Sequence, residues 1–220
     1  MKIAVLGAGR VGSTVGRLWQ PTWESAHGTY AEYTAVAPRV KTEPLAHIPD
    51  GVTDEQAAAL PIAAITALRS LELLDVTPGQ RLVVMGATGG VGGYTVQMAR
   101  DRGVHVIATV RGDVDEARRI GAEEVYDAEA VDVVDALRTS HPDGVEAVLD
   151  LVNGSDVICR DAEILKPGGG LVSTRYAADK EWFADARSPH SILLQSRIHC
   201  PLRRDWLRLR AFTPLFSRTT

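Results

Sequence analysis

The run Arg81-Leu82-Val83-Val84-Met85, followed by Gly86-Ala87-Thr88-Gly89-Gly90-Val91-Gly92-Gly93, decides the fold. An apolar run with no polar alternation reads as a strand buried on both faces, the type found in parallel sheets. The glycines make a turn, and Tyr94 to Arg102 reads as a helix. Val104 to Val110 then reads as a second buried strand. In that frame Ala87-x-Gly89-x-x-Gly92 is the alanine-led form of a dinucleotide fingerprint. Ala87 is expected to make the tight exit from the strand. Gly89, lacking a Cβ, lets the backbone approach a pyrophosphate, and Gly92 lets the helix pack closely on the strand. Free N–H groups and the helix dipole then face the phosphates. The candidate cofactor residues here are Ala87, Thr88, Gly89, Gly90, Val91 and Gly92.

The end of the second strand bears on which dinucleotide is bound. An Asp or Glu about 20 residues past the glycines holds a ribose 2′-hydroxyl in sites for NAD. Here the sequence reads Ala108-Thr109-Val110-Arg111-Gly112, with no acid before Asp113. A guanidinium at Arg111 pairs with a 2′-phosphate in a bidentate way, whereas a carboxylate would repel it. Arg118 and Arg119 are candidates to extend the patch. Thr109 and Arg111 join the candidate site, and the expected cofactor is NADP(H).

Downstream the alternation continues. Helices are expected over Glu116 to Ile120, closed by Gly121, over Val131 to Thr139 and over Ala162 to Leu165. Strands are expected at Val125-Tyr126, Ala147 to Val152 and Leu171 to Thr174, the last after a Pro167-Gly168-Gly169-Gly170 turn. Strands and helices alternating at this spacing predict an α/β protein with a doubly wound parallel Rossmann sheet. Upstream, Thr53 and Gln56 form a capping-box pattern opening an alanine-rich helix that reaches Leu74 with a break near Pro61.

The outer segments differ in character. Lys2 to Leu6 with Gly7-Ala8-Gly9-Arg10-Val11-Gly12 resembles another Rossmann start, but Pro21 ends its helix and no second strand follows. Without the full βαβ unit the motif reads as structural. Residues 188–220 form a basic tail; with Arg187 this end of the chain holds seven arginines and no lysine. No recognition motif accompanies that charge, so nucleic acid is not the expected partner. The net charge of −4 likewise gives no reason to expect nucleic acid or an anionic membrane. The longest apolar stretch, Ala57 to Leu68, is short for a bilayer span. Cys159 and Cys200 follow no ligand spacing, so neither a metal site nor a disulfide framework is expected. The expected location is cytoplasmic.

Taken in order, residues 28–33, 48–68, 76–111, 118–127, 150–152 and 165–174 resemble the medium-chain dehydrogenase/reductase superfamily, in its zinc-free NADPH:quinone oxidoreductase branch. The resemblance implies a Rossmann domain over residues 53–187 joined to a GroES-like β-domain, of which 22–52 would be a remnant and linker. Residues 1–21 would be a separate βα start. It implies hydride transfer from NADPH to a small-molecule quinone or enone acceptor, with Thr66 near the nicotinamide end and Arg111 at the 2′-phosphate. An enoyl-thioester reductase, or an NADP-binding remnant without turnover, remains an alternative. The substrate half is largely unmatched, so turnover and the catalytic residue stay open. A homodimer is compatible with the resemblance.

Overall fold

The computed structural model describes residues 50–175 and the strand 191–194. The N-terminal glycine motif, the 28–33 segment and most of the basic tail lie outside the described residues. Those described fall into two compact units that divide between Ile65 and Thr66. The second unit carries the sheet.

Helix α1 (Asp54–Leu74) opens with the expected capping box. The Thr53 N–H donates to Gln56 Oε1 at 3.0 Å, and the Gln56 N–H donates to Thr53 Oγ1 at 3.3 Å. The helix continues through Pro61 instead of breaking there. One missing N–H costs one intrahelical bond, and a 21-residue helix of strong helix formers absorbs it. By length and apolar content α1 would suffice to cross a bilayer. Its Thr66–Leu74 portion buries Ala67, Leu68, Ser70 and Leu71 at 2% exposure or less, while Arg69 and Glu72 pair on its more open side. That is the pattern of a helix packed on a protein core.

The unit then alternates as β1 (Arg81–Met85), α2 (Gly90–Asp101), β2 (His105–Val110), α3 (Val114–Arg119), β3 (Glu124–Asp127), α4 (Val133–Ser140), β4 (Val145–Asp150), α5 (Ser155–Ala162), β5 (Leu165–Ser173) and β6 (Ser191–Leu194). All pairings are parallel, and the strand order is β3-β2-β1-β4-β5-β6. This is the doubly wound order, with its reversal between β1 and β4. Val83, Met85, Ile107, Val148 and Leu171 bury one face against Val134 and Leu137 of α4 and Ile158 of α5. The alternate residues Leu82, Val84, Val106, Ala108, Ala147 and Leu149 are fully buried too, and α2 lies against β1 and β2. Covered faces on both sides explain why the strands read as unbroken apolar runs.

The helix expected over Ala162 to Leu165 lies earlier, at Ser155–Ala162, and Leu165 already opens β5; two larger features also differ from the sequence expectation. The Pro167–Gly170 segment is not a turn but lies inside β5, as a bulge. Val145 aligns with Leu165, yet Ala147 aligns with Gly170, so β5 spends three more residues than β4 over that interval. Gly168 takes φ +79 there. A Cβ on Gly169 would come within 3.1 Å of the Lys166 and Glu146 carbonyl oxygens, so the glycines are what the bulge requires. Second, the sheet has a sixth strand. β6 pairs with β5 from Gly170↔Ser191 to Ser173↔Leu194, inside the stretch read as tail.

The opposite, N-terminal edge of the sheet is held by charge. Arg81 donates to Glu146 from its backbone N–H at 2.9 Å and its Nε at 3.3 Å, and Lys166 joins the same carboxylate. His105 places one ring nitrogen 2.7 Å from Glu123 and the other 2.7 Å from Glu124, while His141 reaches Glu124 at 3.1 Å. These groups line an open cavity of about 640 Å³ and pair among themselves.

Candidate functional site

The reversal of strand order leaves a crevice at the carboxyl ends of β1 and β4, where open α/β sheets bind ligands. Its floor is the turn from Met85 into α2. The chain leaves β1 through Gly86, which takes φ +84. The tight exit therefore falls on Gly86, one residue before Ala87. Ala87 is fully buried, and its N–H donates to the Thr109 carbonyl at 3.0 Å. Helix α2 starts at Gly90, not Tyr94, with Gly89 as its N-cap in extended conformation. The orphan N–H groups of its first turn are thus those of Gly90, Val91 and Gly92. They carry the positive end of the helix dipole to the mouth of the crevice.

The glycines differ in what they permit. A Cβ on Gly92 would meet the Gly86 carbonyl oxygen at 2.3 Å and the Ala87 carbonyl oxygen at 2.7 Å, both rigid backbone. On Gly89 the nearest atom would be the Gly86 oxygen at 3.3 Å, a mild crowding. Gly92 is needed by the fold itself, as helix–strand packing predicts. Gly89 meets no such internal demand, and its bare, exposed face is available to a ligand. A turn with a helix N-terminus above it and no side chain on its outer face fits a dinucleotide pyrophosphate.

The far wall comes from β4. Asp150, fully buried at the strand end beside Met85, accepts from the Val152 N–H at 3.2 Å, the Asn153 N–H at 2.9 Å and the Ser173 hydroxyl at 3.1 Å. Burial pushes its carboxyl upward against those bonds. The bonds fold residues 151–154 back over the turn. Val152 ends with its Cγ1 2.5 Å from where a Cβ of Gly86 would stand. Its own side chain is 49% exposed, an apolar patch on the crevice wall. Asn153 donates onward to Asp161 at 2.7 Å. Burial pushes the Asp161 carboxyl up to about 6; the Asn153 bond holds it back, and the Asp150 charge adds to the rise.

Of the other sequence candidates, Thr109 is buried and turned inward. Its hydroxyl accepts from the Gly86 N–H at 3.3 Å and donates to Met85 Sδ at 3.5 Å. Thr109 therefore supports the turn. Arg111 is exposed at the tip of β2 and forms no ion pair with a described residue. Arg118 and Arg119 do not join it: Arg119 is bidentate to Glu116 at 2.7 Å, and Arg118 faces Asp115 at 3.8 Å. Thr66 is buried on α1, and no described hydrogen bond ties its hydroxyl to the turn. Thr88 is half-buried within the turn. Sequence reasoning missed Gly86, Asp150, Val152 and Asn153. The first carried a signal, a glycine at the strand–turn junction; the others reach the turn only through the β1–β4 pairing.

Comparison with known proteins agrees with this geometry. Residues 90–193 match the family described as zinc-binding dehydrogenase. The quinone oxidoreductase of Rattus norvegicus is 31% identical over 156 residues, covering 68% of this chain and 45% of that protein. The chain belongs to the medium-chain dehydrogenase/reductase superfamily. A second relative of this medium-chain Rossmann unit is the mycocerosic acid synthase-like polyketide synthase of Mycobacterium tuberculosis. It is 32% identical over 167 residues, covering 74% of this chain and 7% of that one. Among solved structures, the CurK enoyl reductase superposes with a TM-score of 0.63 at 26% identity, over 69% of this chain and 47% of that one. The chain spans less than half the length of each of these relatives. Among the described residues of this superfamily member, no group of three or more His, Cys, Asp or Glu is arranged to hold a metal ion.

Proposed function

We propose that this chain is the dinucleotide-binding part of a reductase that takes NADPH and reduces an electron-poor double bond, a quinone or enone. The observation that supports it is the glycine cradle at the β1–β4 reversal, with the exposed, unpaired Arg111 at the tip of β2. When bound, the reduced nicotinamide supplies a hydride. The Gly90, Val91 and Gly92 N–H groups hold the pyrophosphate, and Gly89 lets it approach the backbone. Arg111 pairs with the 2′-phosphate. Val152 gives the nicotinamide end an apolar wall that keeps water from one side. The remaining contribution is positioning, which can supply about 7–11 kcal/mol where both reactants are held.

An enoyl thioester is the competing acceptor. The likeness to an enoyl reductase and to a polyketide synthase favours it as much as the likeness to a quinone oxidoreductase favours a quinone. The reading is tested in two steps. Titration of NADPH and NADH into the purified chain should show tighter NADPH binding, with Arg111→Glu weakening NADPH by about ten- to a hundredfold and leaving NADH nearly unchanged. Equal affinities in the parent chain overturn the role of Arg111. NADPH oxidation with a benzoquinone, a naphthoquinone and a crotonyl thioester, against a control without protein, then ranks the acceptors.

A further inference from the structure

The sequence around the tip of β2 lacks the acid that would hold a ribose hydroxyl. The structure supplies one from the loop that follows the next strand, β3. Ala128, just past β3, donates its N–H to the Val110 carbonyl at 2.9 Å, which draws the β3–α4 loop across the tip of β2. Asp127 then accepts from the Gly112 N–H at 3.2 Å and from the Glu129 N–H at 3.0 Å, both on one oxygen. One Asp127 oxygen is thus held by two backbone N–H groups. Its effect is to fix Glu129 beside Gly112: a Glu129 carboxylate oxygen lies 3.9 Å from the position a Gly112 Cβ would take. Gly112 itself takes φ +80, so the loop turns sharply there. Arg111 stands on one side of this glycine and Glu129 lies against it. Both are exposed, and neither is paired with a described residue.

We infer that Glu129 is a specificity-determining residue for the adenosine ribose, set against Arg111 across Gly112. The inference rests on the dinucleotide reading above. The tip of the second strand is where the 2′ position of a bound dinucleotide comes to lie. A carboxylate there accepts a hydrogen bond from the 2′-hydroxyl of NADH and repels the dianionic 2′-phosphate of NADPH. Arg111 does the opposite. The preference for NADPH is therefore a difference between two opposing contributions, and it is smaller than Arg111 alone would produce. Glu129 does this from 18 residues beyond Arg111, in a loop that carries no fingerprint of its own.

The test is Glu129→Gln, an isosteric change at an exposed position, with NADPH and NADH titrated into parent and variant. The variant should bind NADPH about three- to tenfold more tightly, the effect of one unit charge a few ångströms away in a high-dielectric setting. NADH should bind no more tightly than before, so the NADPH-to-NADH preference widens. The NADPH gain should shrink when salt is raised from about 0.01 M to about 1 M, because the Debye length falls from about 30 Å to about 3 Å. A preference within about twofold of the parent overturns the role of Glu129. So does a gain that is equal for both cofactors, which would mean a general change in the loop. If the parent chain binds neither cofactor, the dinucleotide reading itself fails and this inference falls with it.

Discussion

The Asn153 side-chain amide donates to the Asp161 carboxylate at 2.7 Å, which ties the loop after β4 to the last turn of the helix that the loop opens. Asp161 is 1% exposed, and the buried Asp150 holds the other end of the same loop through the Val152 and Asn153 N–H groups. Two buried carboxylates thus brace one short segment, and the segment forms the crevice wall.

That bracing carries a pH signature. Asp161 sits at about 6 in the folded chain, above the ordinary carboxyl value near 4. Between about pH 4 and pH 6 the folded state keeps a proton that the unfolded state has lost. Stability therefore falls as pH rises through that window and stays lower above it. Asp161→Asn, which keeps an acceptor for Asn153, should stabilise the chain at pH 7.5 by at most about 3 kcal/mol. The gain should vanish near pH 4. Thermal melts of parent and variant across pH 4 to 8 check this; a gain independent of pH would contradict it.

Glu146 should behave in the reverse sense. Burial raises its carboxyl, but the Lys166 and Arg81 bonds outweigh that and hold it at about 2. Its contribution is complete above about pH 4.5 and is lost as pH falls toward 2. Glu146→Gln should cost about 1–2 kcal/mol at pH 7, after allowance for solvent screening of a partly open pair. The cost should disappear in acid. Urea melts at pH 7 and pH 2.5 provide the measurement.

The glycines of the turn should separate fold from ligand. Gly92→Ala places a methyl against two backbone carbonyl oxygens, so it should lower stability by about 1–3 kcal/mol and NADPH affinity with it. Gly89→Ala meets only the Gly86 oxygen at 3.3 Å. It should melt within about 0.5 kcal/mol of the parent and lose about tenfold or more in NADPH affinity. Equal melting losses in the two variants would show that Gly89 serves the fold as well.

Thr109→Val tests whether a buried hydroxyl beside the site touches the cofactor. The Gly86 N–H keeps the Thr109 carbonyl at 3.1 Å when the hydroxyl is gone. The expected stability cost is about 0.5–1.5 kcal/mol, with NADPH affinity within about twofold of the parent. A loss of binding without a loss of stability would make Thr109 a direct contact.

The β1–turn–α2 unit was legible because its determinants are local. Apolar runs, a glycine turn and a helix follow one another within about twenty residues, and each local preference agrees with the fold. The capping box at Thr53 and Gln56 was legible for the same reason. The Pro167–Gly170 segment misled because its composition is that of a turn, while its partner strand β4 decides that it is a bulge. Pro61 misled in the other direction: an interior proline signals a break, and the helix carries on. Gly86 was overlooked because the fingerprint alignment begins at Ala87, although the positive φ falls one residue earlier. Asp150, Val152 and Asn153 lie more than sixty residues from the turn they brace, and Glu129 reaches Gly112 only through the β2–β3 pairing. No local window contains both the turn and the residues that follow β4, and the short Gly112–Glu129 separation carries no periodic or motif signal.

The strand order also divides the crevice between two stretches of the chain. β1 lies between β2, the next strand along the chain, and β4, whose Val145 is 60 residues beyond the last residue of β1. The β1–β2 and β2–β3 pairings each close a shorter loop than the β1–β4 pairing does, at a smaller entropic cost. The glycine turn and the tip of β2 are both encoded before Asp127. The opposite wall, at Val152, is encoded after β4. The two sides of the crevice therefore meet only through the β1–β4 pairing.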